Sequence, residues 1–177
     1  LLRDGVHLRA RVADVGTPVV LHDEHGPVAV HALPYLDPDV VRHALADDDA
    51  EPLPRSHEAV MAAAMARVRR DADARSAAAG ARVRSVVMAH AFVVGGQSSD
   101  SERDIRVGGV DAVPAGVFAG VDYVALGHLH GPQEIRFPGT DDARPFSSIA
   151  APGPTSTATA SPASYVTPRR PTPTATS

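Results

Sequence analysis

Short apolar runs alternate with longer helical patterns along the first 130 residues of the chain. Alternating residues, Val-rich runs and short continuous apolar runs each predict β-strands. The strand candidates are residues 6–12, 18–21, 27–33, 85–89 and 122–126, with a hairpin-type turn over 22–26. The order of these runs and the helices between them predicts an α/β domain in which helices cover a sheet.

Two segments follow the helical period. Asp37 and Pro38 form an N-cap followed by a proline in the first turn, which predicts a short helix ending near Asp47. Ser56 can cap a longer helix that runs to about Ala79, where a glycine follows. The apolar positions of that helix share one face and are Met61, Ala64, Met65, Val68 and Ala72.

Composition narrows the class of protein. The chain has 177 residues, 44% of them hydrophobic, which is enough for one domain with a core. Seventeen basic residues against twenty-one acidic residues give a net charge of −4. That balance argues against binding nucleic acid by broad positive charge, although it does not exclude a nuclease that binds through metal ions. Cysteine is absent, so thiolate zinc sites and cysteine nucleophiles are excluded.

The sequence gives two further expectations about organisation and location. Residues 150–177 are dominated by Pro, Thr, Ser and Ala and contain no acidic residue, which predicts a disordered tail. Residues 1–149 would then form the folded domain. No apolar run approaches the length of about 18 residues that a membrane span needs. The opening residues do not resemble a signal peptide, so we expect a cytoplasmic protein that does not bind membranes.

Three of the nine histidines follow predicted strands directly. His90 comes after the run 86–89, and His128 and His130 come after the run 123–126 through Gly127. Ligands of open α/β sheets gather at the carboxyl ends of the strands, and imidazole suits divalent transition metals. The three residues are therefore candidate metal ligands, although a single histidine is more often a hydrogen-bonded structural group. A structural role is expected for His7, His22, His25, His31, His43 and His57.

A family resemblance rests on the segments around these histidines. The stretches VMAHAFVVGG at 87–96 and SDSER at 99–103 resemble the fourth metal motif of SbcD nuclease subunits, within the calcineurin-like metallophosphoesterase superfamily. The likeness covers about residues 1–137, and its most specific part runs from His90 to Gln133. Further segments that resemble the family are IRVGG at 105–109, FAGVDYVALGHLHGPQ at 118–133 and ALPYL at 32–36.

The resemblance implies a two-metal phosphodiesterase built as a four-layer α/β/β/α sandwich. By motif, His90 and His128 would bind one divalent cation and His130 the other, with Mn²⁺ as the expected metal. The family cleaves double-stranded DNA ends and hairpins in DNA recombination, replication and repair. Its partner is SbcC, a coiled-coil ATPase, and the expected assembly is an SbcD homodimer within a heterotetramer.

The sequence departs from the family pattern at both ends. The family's first three motifs supply an Asp-x-His, a bridging Asp and an Asn-His pair, and they are expected upstream of Leu1. The chain contains no Asn, and the family's general-acid histidine is expected upstream as well, so no catalytic residue is assigned here. The likeness also ends after residues 136–139. We therefore expect a fragment that is inactive alone, unless Asp100, Asp104 or Asp122 replaces the missing ligands.

Alternatives remain open at this point. The chain could be a calcineurin-like phosphoesterase with another substrate, or an inactive remnant that only contacts an ATPase. Glu102 and Arg103 are candidates for positioning the metal loop or the substrate. The basic residues of the long helix favour a solvated face over a DNA-binding patch, since acidic residues alternate with them. They are Arg67, Arg69, Arg70 and Arg75.

Overall fold

The structure is a computed structural model. It describes residues 5–48, 50–94 and 112–128, together with the backbone of 133–135 and 146–148. The predicted tail over 150–177 lies outside these residues. The strands are β1 (Val19–Asp23), β2 (Gly26–Ala32), β3 (Arg84–His90), β4 (Phe92–Val94), β5 (Ala112–Pro114), β6 (Tyr123–Gly127), β7 (Gln133–Ile135) and β8 (Phe146–Ser148). The α-helices are α1 (Pro38–Val41) and α2 (His57–Ala79), and 3-10 turns cover Val12–Asp14 and Ala115–Phe118.

A mixed sheet forms the centre of this α/β fold. Its strand order is β1-β2-β3-β6-β8-β7, and β4 pairs with β5 in a separate two-stranded sheet. Strand β2 is parallel to β3, β3 to β6 and β6 to β8, whereas the pairs β1–β2 and β7–β8 are antiparallel. Because β2, β3 and β6 are neighbours and parallel, their carboxyl ends meet at one edge of the sheet.

Helix α2 forms as its terminal residues predict. The Ser56 hydroxyl accepts a hydrogen bond from the Ala59 backbone N–H, and Gly80 ends the helix with a left-handed backbone at φ 64°. The helix covers one face of the central sheet. Its buried side chains join one core with Val87 and Ala89 of β3 and with Val124 and Leu126 of β6; they are Val60, Met61, Ala64, Met65 and Val68.

The opposite face of the sheet is partly open in the described residues. Leu21 of β1 is 54% exposed and Met88 of β3 is 50% exposed. Leu21 pairs with Val28 and Met88 pairs with Ala32, so both lie on the face away from the buried Ala29. The described residues therefore include a sheet with a helical layer on one side.

Asp122 connects the amino ends of β3 and β6. Its carboxylate accepts hydrogen bonds from the Ser85 backbone N–H at 2.9 Å and the Ser85 hydroxyl at 3.3 Å. Its other oxygen lies 2.7 Å from the guanidinium of Arg82. The Asp122 backbone N–H donates to the Ser85 carbonyl at 3.1 Å. These bonds fix the register that places His90 opposite Gly127.

Two sequence predictions about elements are wrong. Residues 6–12 form no strand, and Leu8 is exposed, because alternation alone supplies no neighbouring strand to complete the backbone hydrogen bonds. The predicted helix from Asp37 to Asp47 is helical only over Pro38–Val41, and turns follow it. Its predicted cap is present, since the Asp37 carboxylate accepts from the Asp39 backbone N–H at 2.9 Å.

Helix length and polarity bear on membrane association. Among the residues that the structure describes, no helix combines the length and the apolar character needed to cross a bilayer.

Candidate metal centre

Two of the three candidate ligands meet at the carboxyl edge of the sheet. His90 is the last residue of β3, and His128 directly follows Gly127, the last residue of β6. Since His90 pairs with Gly127 across the two parallel strands, both imidazoles lie at the same edge. Nε2 of His90 is 3.2 Å from Nδ1 of His128. The ring centroids are 5.1 Å apart and the ring planes are nearly perpendicular, at 86°.

Backbone features at residues 127 and 128 make this approach possible. A Cβ atom at position 127 would lie 2.9 Å from Nδ1 of His90, so only glycine leaves room for the His90 ring where it stands. His128 has a backbone φ of 93°. Among the residues that the structure describes, it is the only non-glycine residue with a positive φ. Such a backbone costs free energy in an L-residue, and strained residues of this kind cluster at functional sites.

Aromatic rings surround the His90–His128 pair. Tyr35, in the loop after β2, lies 6.1 Å from His90 between ring centroids and 5.6 Å from His57. Phe92, at the start of β4, lies 6.0 Å from His128. The sequence indicates no role for Tyr35 and predicts only a structural role for His57. Tyr35 could have been found by the same rule as His90, because it also follows a strand of the parallel sheet.

The geometry of the pair fits two ligands of one cation. Zinc–imidazole bonds are about 2.0–2.1 Å long, so two nitrogens on one ion lie about 2.9–3.4 Å apart. The observed separation of 3.2 Å falls in this range. Without a cation, one neutral ring would donate a hydrogen bond to the other at the same distance. No group of three or more histidine or acidic side chains suited to a metal occurs within the described part of the chain.

The remaining predicted site residues are placed as follows. His130, Glu102, Arg103, Asp100 and Asp104 lie outside the described residues. Asp122 is at the amino end of β6, six residues before His128, which in extended strand is about 20 Å away. Its carboxylate is bonded to Ser85 and Arg82. Asp122 is therefore not a substitute metal ligand in this arrangement.

His31 has the structural role expected for it. Its side chain is fully buried, and Nε2 lies 3.0 Å from the Asp71 carboxylate on α2. Its Nδ1 atom is buried with no hydrogen-bond partner among the described residues. Burial lowers the pKa of His31 below its usual 6.5, although the hydrogen bond to the Asp71 carboxylate acts in the opposite direction. The missing partner at Nδ1 agrees with this direction, because protonation would place an unpaired N–H there.

Two of the four arginines of α2 bind segments outside the helix. Arg67 donates to the Ala44 carbonyl, and Arg69 donates to the carbonyls of Val117 and Ala119. Arg75 donates to Asp71 at 2.7 Å. Arg67 and Arg69 therefore link α2 to neighbouring segments, whereas Arg75 pairs within α2, as expected for a solvated helix face. These three residues do not form a free cationic patch for DNA.

No protein-family model matches the chain.

Proposed function

We propose that the chain contributes metal ligands to a cytoplasmic phosphodiesterase of the SbcD type that cleaves the ends and hairpins of double-stranded DNA. The observation that supports this most directly is the 3.2 Å approach of His90 and His128 at the carboxyl edge of the sheet. The resemblance of residues 87–133 to SbcD nuclease subunits supplies the substrate class. It also supplies the expected partner, an SbcC-type ATPase bound in a heterotetramer with an SbcD homodimer.

In this proposal the chain's residues hold and orient the metal site. Nε2 of His90 and Nδ1 of His128 would bind one divalent cation, and His130 would bind the second by resemblance. A pair of bound divalent cations, Mn²⁺ in this family, draws negative charge from a phosphodiester and stabilises the leaving oxygen. Gly127 leaves space for the His90 ring, and the positive φ of His128 sets the direction of its side chain.

The four-layer sandwich is part of the same proposal. In such a fold, a second sheet covers the face that carries Leu21 and Met88, both about half exposed here. This would bury apolar side chains that otherwise face water, and it would place ligands from the second sheet beside His90 and His128.

Metal binding by the pair can be measured with Co²⁺, which imidazole binds more tightly than Mn²⁺ and whose visible absorption reports coordination. We expect the 177-residue chain to bind Co²⁺, with loss of binding in His90→Ala and in His128→Ala. Removing both rings should cost no more than removing one, because the two act on the same ion. His43→Ala, which removes an exposed histidine elsewhere, is the matched control. Equal binding by all five proteins, the double variant included, would contradict the proposal.

A second experiment tests whether DNA binds at this site, and it does not require the protein to hydrolyse the DNA. Fe²⁺ in place of Mn²⁺, with ascorbate and peroxide, produces hydroxyl radicals that cut DNA close to the ion. We expect cuts near the ends of a linear duplex with the wild-type chain and with His43→Ala, but not with His128→Ala. Co²⁺ binding combined with uniform Fe²⁺ cutting along the duplex would instead favour a calcineurin-like phosphoesterase with another substrate.

A further inference from the structure

Tyr35 is an unusual aromatic residue in this protein. It is 56% exposed, and it is the only aromatic residue among the exposed large apolar side chains of the described ranges. Its neighbours in sequence, Leu33 and Leu36, are buried in the core. The loop after β2 is therefore anchored on both sides of Tyr35, while the phenol ring remains in contact with solvent.

The position of Tyr35 links it to the candidate metal centre. The Leu33 backbone N–H donates to the Met88 carbonyl of β3 at 2.8 Å, so the loop leaves the sheet beside the end of β3. The Tyr35 ring lies 6.1 Å from the His90 ring at an interplanar angle of 78°, and 5.6 Å from the His57 ring at 56°. His90 in turn meets His128. A ligand held at His90 and His128 thus has an exposed aromatic ring as its neighbour.

We infer that Tyr35 is a stacking surface for a nucleobase whose own phosphate lies at the His90–His128 pair. The phenol ring carries no cationic group to attract a phosphate, but its face offers the apolar π surface that bases stack on. A nucleotide joins these two chemistries within one unit, with the base one sugar away from the phosphate. The inference rests on the proposed function and adds that this chain holds an unstacked base at a DNA end.

Stacking on Tyr35 also predicts a preference among DNA ligands that a purely structural role of this residue would not produce. A base inside a duplex has both faces covered by its neighbours, whereas a base at a frayed or single-stranded end has a face to offer. Tyr35 should therefore favour single-stranded ends with bases over strands that lack them. Because stacking accepts any base, Tyr35 should discriminate little among the four bases.

The test compares two labelled six-nucleotide strands by fluorescence anisotropy with the 177-residue chain in Mn²⁺. One strand is oligothymidylate, and the other has the same backbone with abasic sugars. We expect wild type to bind oligothymidylate about 5- to 150-fold more tightly, the range that stacking of one base supplies. Tyr35→Ala should lose this preference while binding the abasic strand as wild type does. Tyr35→Phe should keep it, because the ring is retained.

Val40→Ala serves as the matched control, since Val40 is 73% exposed and lies five residues from Tyr35. It should bind both strands as wild type does. Equal binding of the two strands by wild type, or an intact preference in Tyr35→Ala, would overturn the stacking surface and leave the DNA proposal standing. Failure of wild type to bind either strand would overturn both. Circular dichroism of each variant checks that the fold is unchanged.

Discussion

The two ends of strands β3 and β6 are built in different ways. At the amino end, the Asp122 carboxylate accepts a hydrogen bond from the Ser85 backbone N–H and forms an ion pair with the Arg82 guanidinium. Nearby, Arg84 at the start of β3 donates to Asp23 at 3.0 Å. The hydrogen bond from Arg84 is the main reason that the pKa of Asp23 is lowered to about 2. At the carboxyl end, two imidazoles face each other at an edge that other aromatic rings surround.

This difference separates residues that hold the fold from residues that can do chemistry. The amino end satisfies its charges and backbone donors with partners inside the protein, so its bonds stabilise the register of the sheet. The carboxyl end has a positive φ at His128 and a glycine that a Cβ cannot replace without moving His90. A positive φ at a non-glycine residue costs free energy, and such unfavourable backbone conformations are expected where a functional site is shaped.

The largest expected effect is at the amino end. Asp122→Ala removes the acceptor of the buried Ser85 N–H and the partner of Arg82, so the free energy of unfolding should fall by about 2–3 kcal/mol. Urea denaturation followed by circular dichroism measures it. Co²⁺ affinity of the folded protein should change little, because Asp122 lies at the other end of the strand.

Asp39→Ala is the matched control for that variant. Asp39 pairs with Arg55 at an exposed position, so its removal should cost less than the loss of Asp122. Equal losses from the two variants would show that Asp122 is an ordinary surface carboxylate. A large drop in Co²⁺ affinity in Asp122→Ala would show that the two ends are not independent.

The next largest effect is expected at the carboxyl end, where a substitution should lower Co²⁺ affinity and leave the free energy of unfolding almost unchanged. Gly127→Ala places a Cβ 2.9 Å from Nδ1 of His90, and the ring must turn away from His128. Co²⁺ affinity should fall about tenfold, the lower end of what disturbing the support of a metal ligand costs. The free energy of unfolding should change little, because His90 is exposed and can move into solvent.

Gly116→Ala is the control, since a Cβ at that position meets nothing within 4 Å. It should leave Co²⁺ affinity as in wild type. If Gly127→Ala binds Co²⁺ normally but unfolds more easily, the glycine serves packing and the contrast between the two ends fails.

A smaller effect tests whether exposure decides the role of a histidine. His31 lies near the carboxyl end of β2 but is buried against α2 and paired with Asp71. Its pKa is lowered in the folded state, so below about pH 6.5 the unfolded chain takes up the proton first. The stability that His31 contributes is complete above pH 6.5 and declines as the pH falls toward its folded pKa. Denaturation at pH 7.5 and 5.5 should show this decline.

His31→Gln removes the titrating group and should reduce the loss of stability between those two pH values. Its Co²⁺ affinity should equal that of wild type. An unchanged pH dependence in His31→Gln would mean that other groups cause the decline. Reduced Co²⁺ affinity would mean that the buried histidine supports the metal centre after all.

Much of the local structure could be predicted from the sequence. The cap at Ser56, the apolar face of α2 and the terminating Gly80 are determined by residues within a few positions of one another, and α2 forms where they indicate. The apolar runs of β2, β3 and β6 are strands for the same local reason. The strand predicted at 6–12 fails because a strand needs a partner, which the local pattern does not specify.

The candidate site depends both on the local sequence and on the tertiary structure. The sequence by itself determined that His90 and His128 follow strands and that a glycine precedes His128. Only the tertiary structure decided that β3 and β6 are neighbours in a register placing these rings 3.2 Å apart, and that Tyr35 and His57 join them. It also decided that His31 is buried, since burial depends on which face α2 covers. Capping and periodicity act over a few residues, whereas strand pairing and burial depend on segments far apart in the chain.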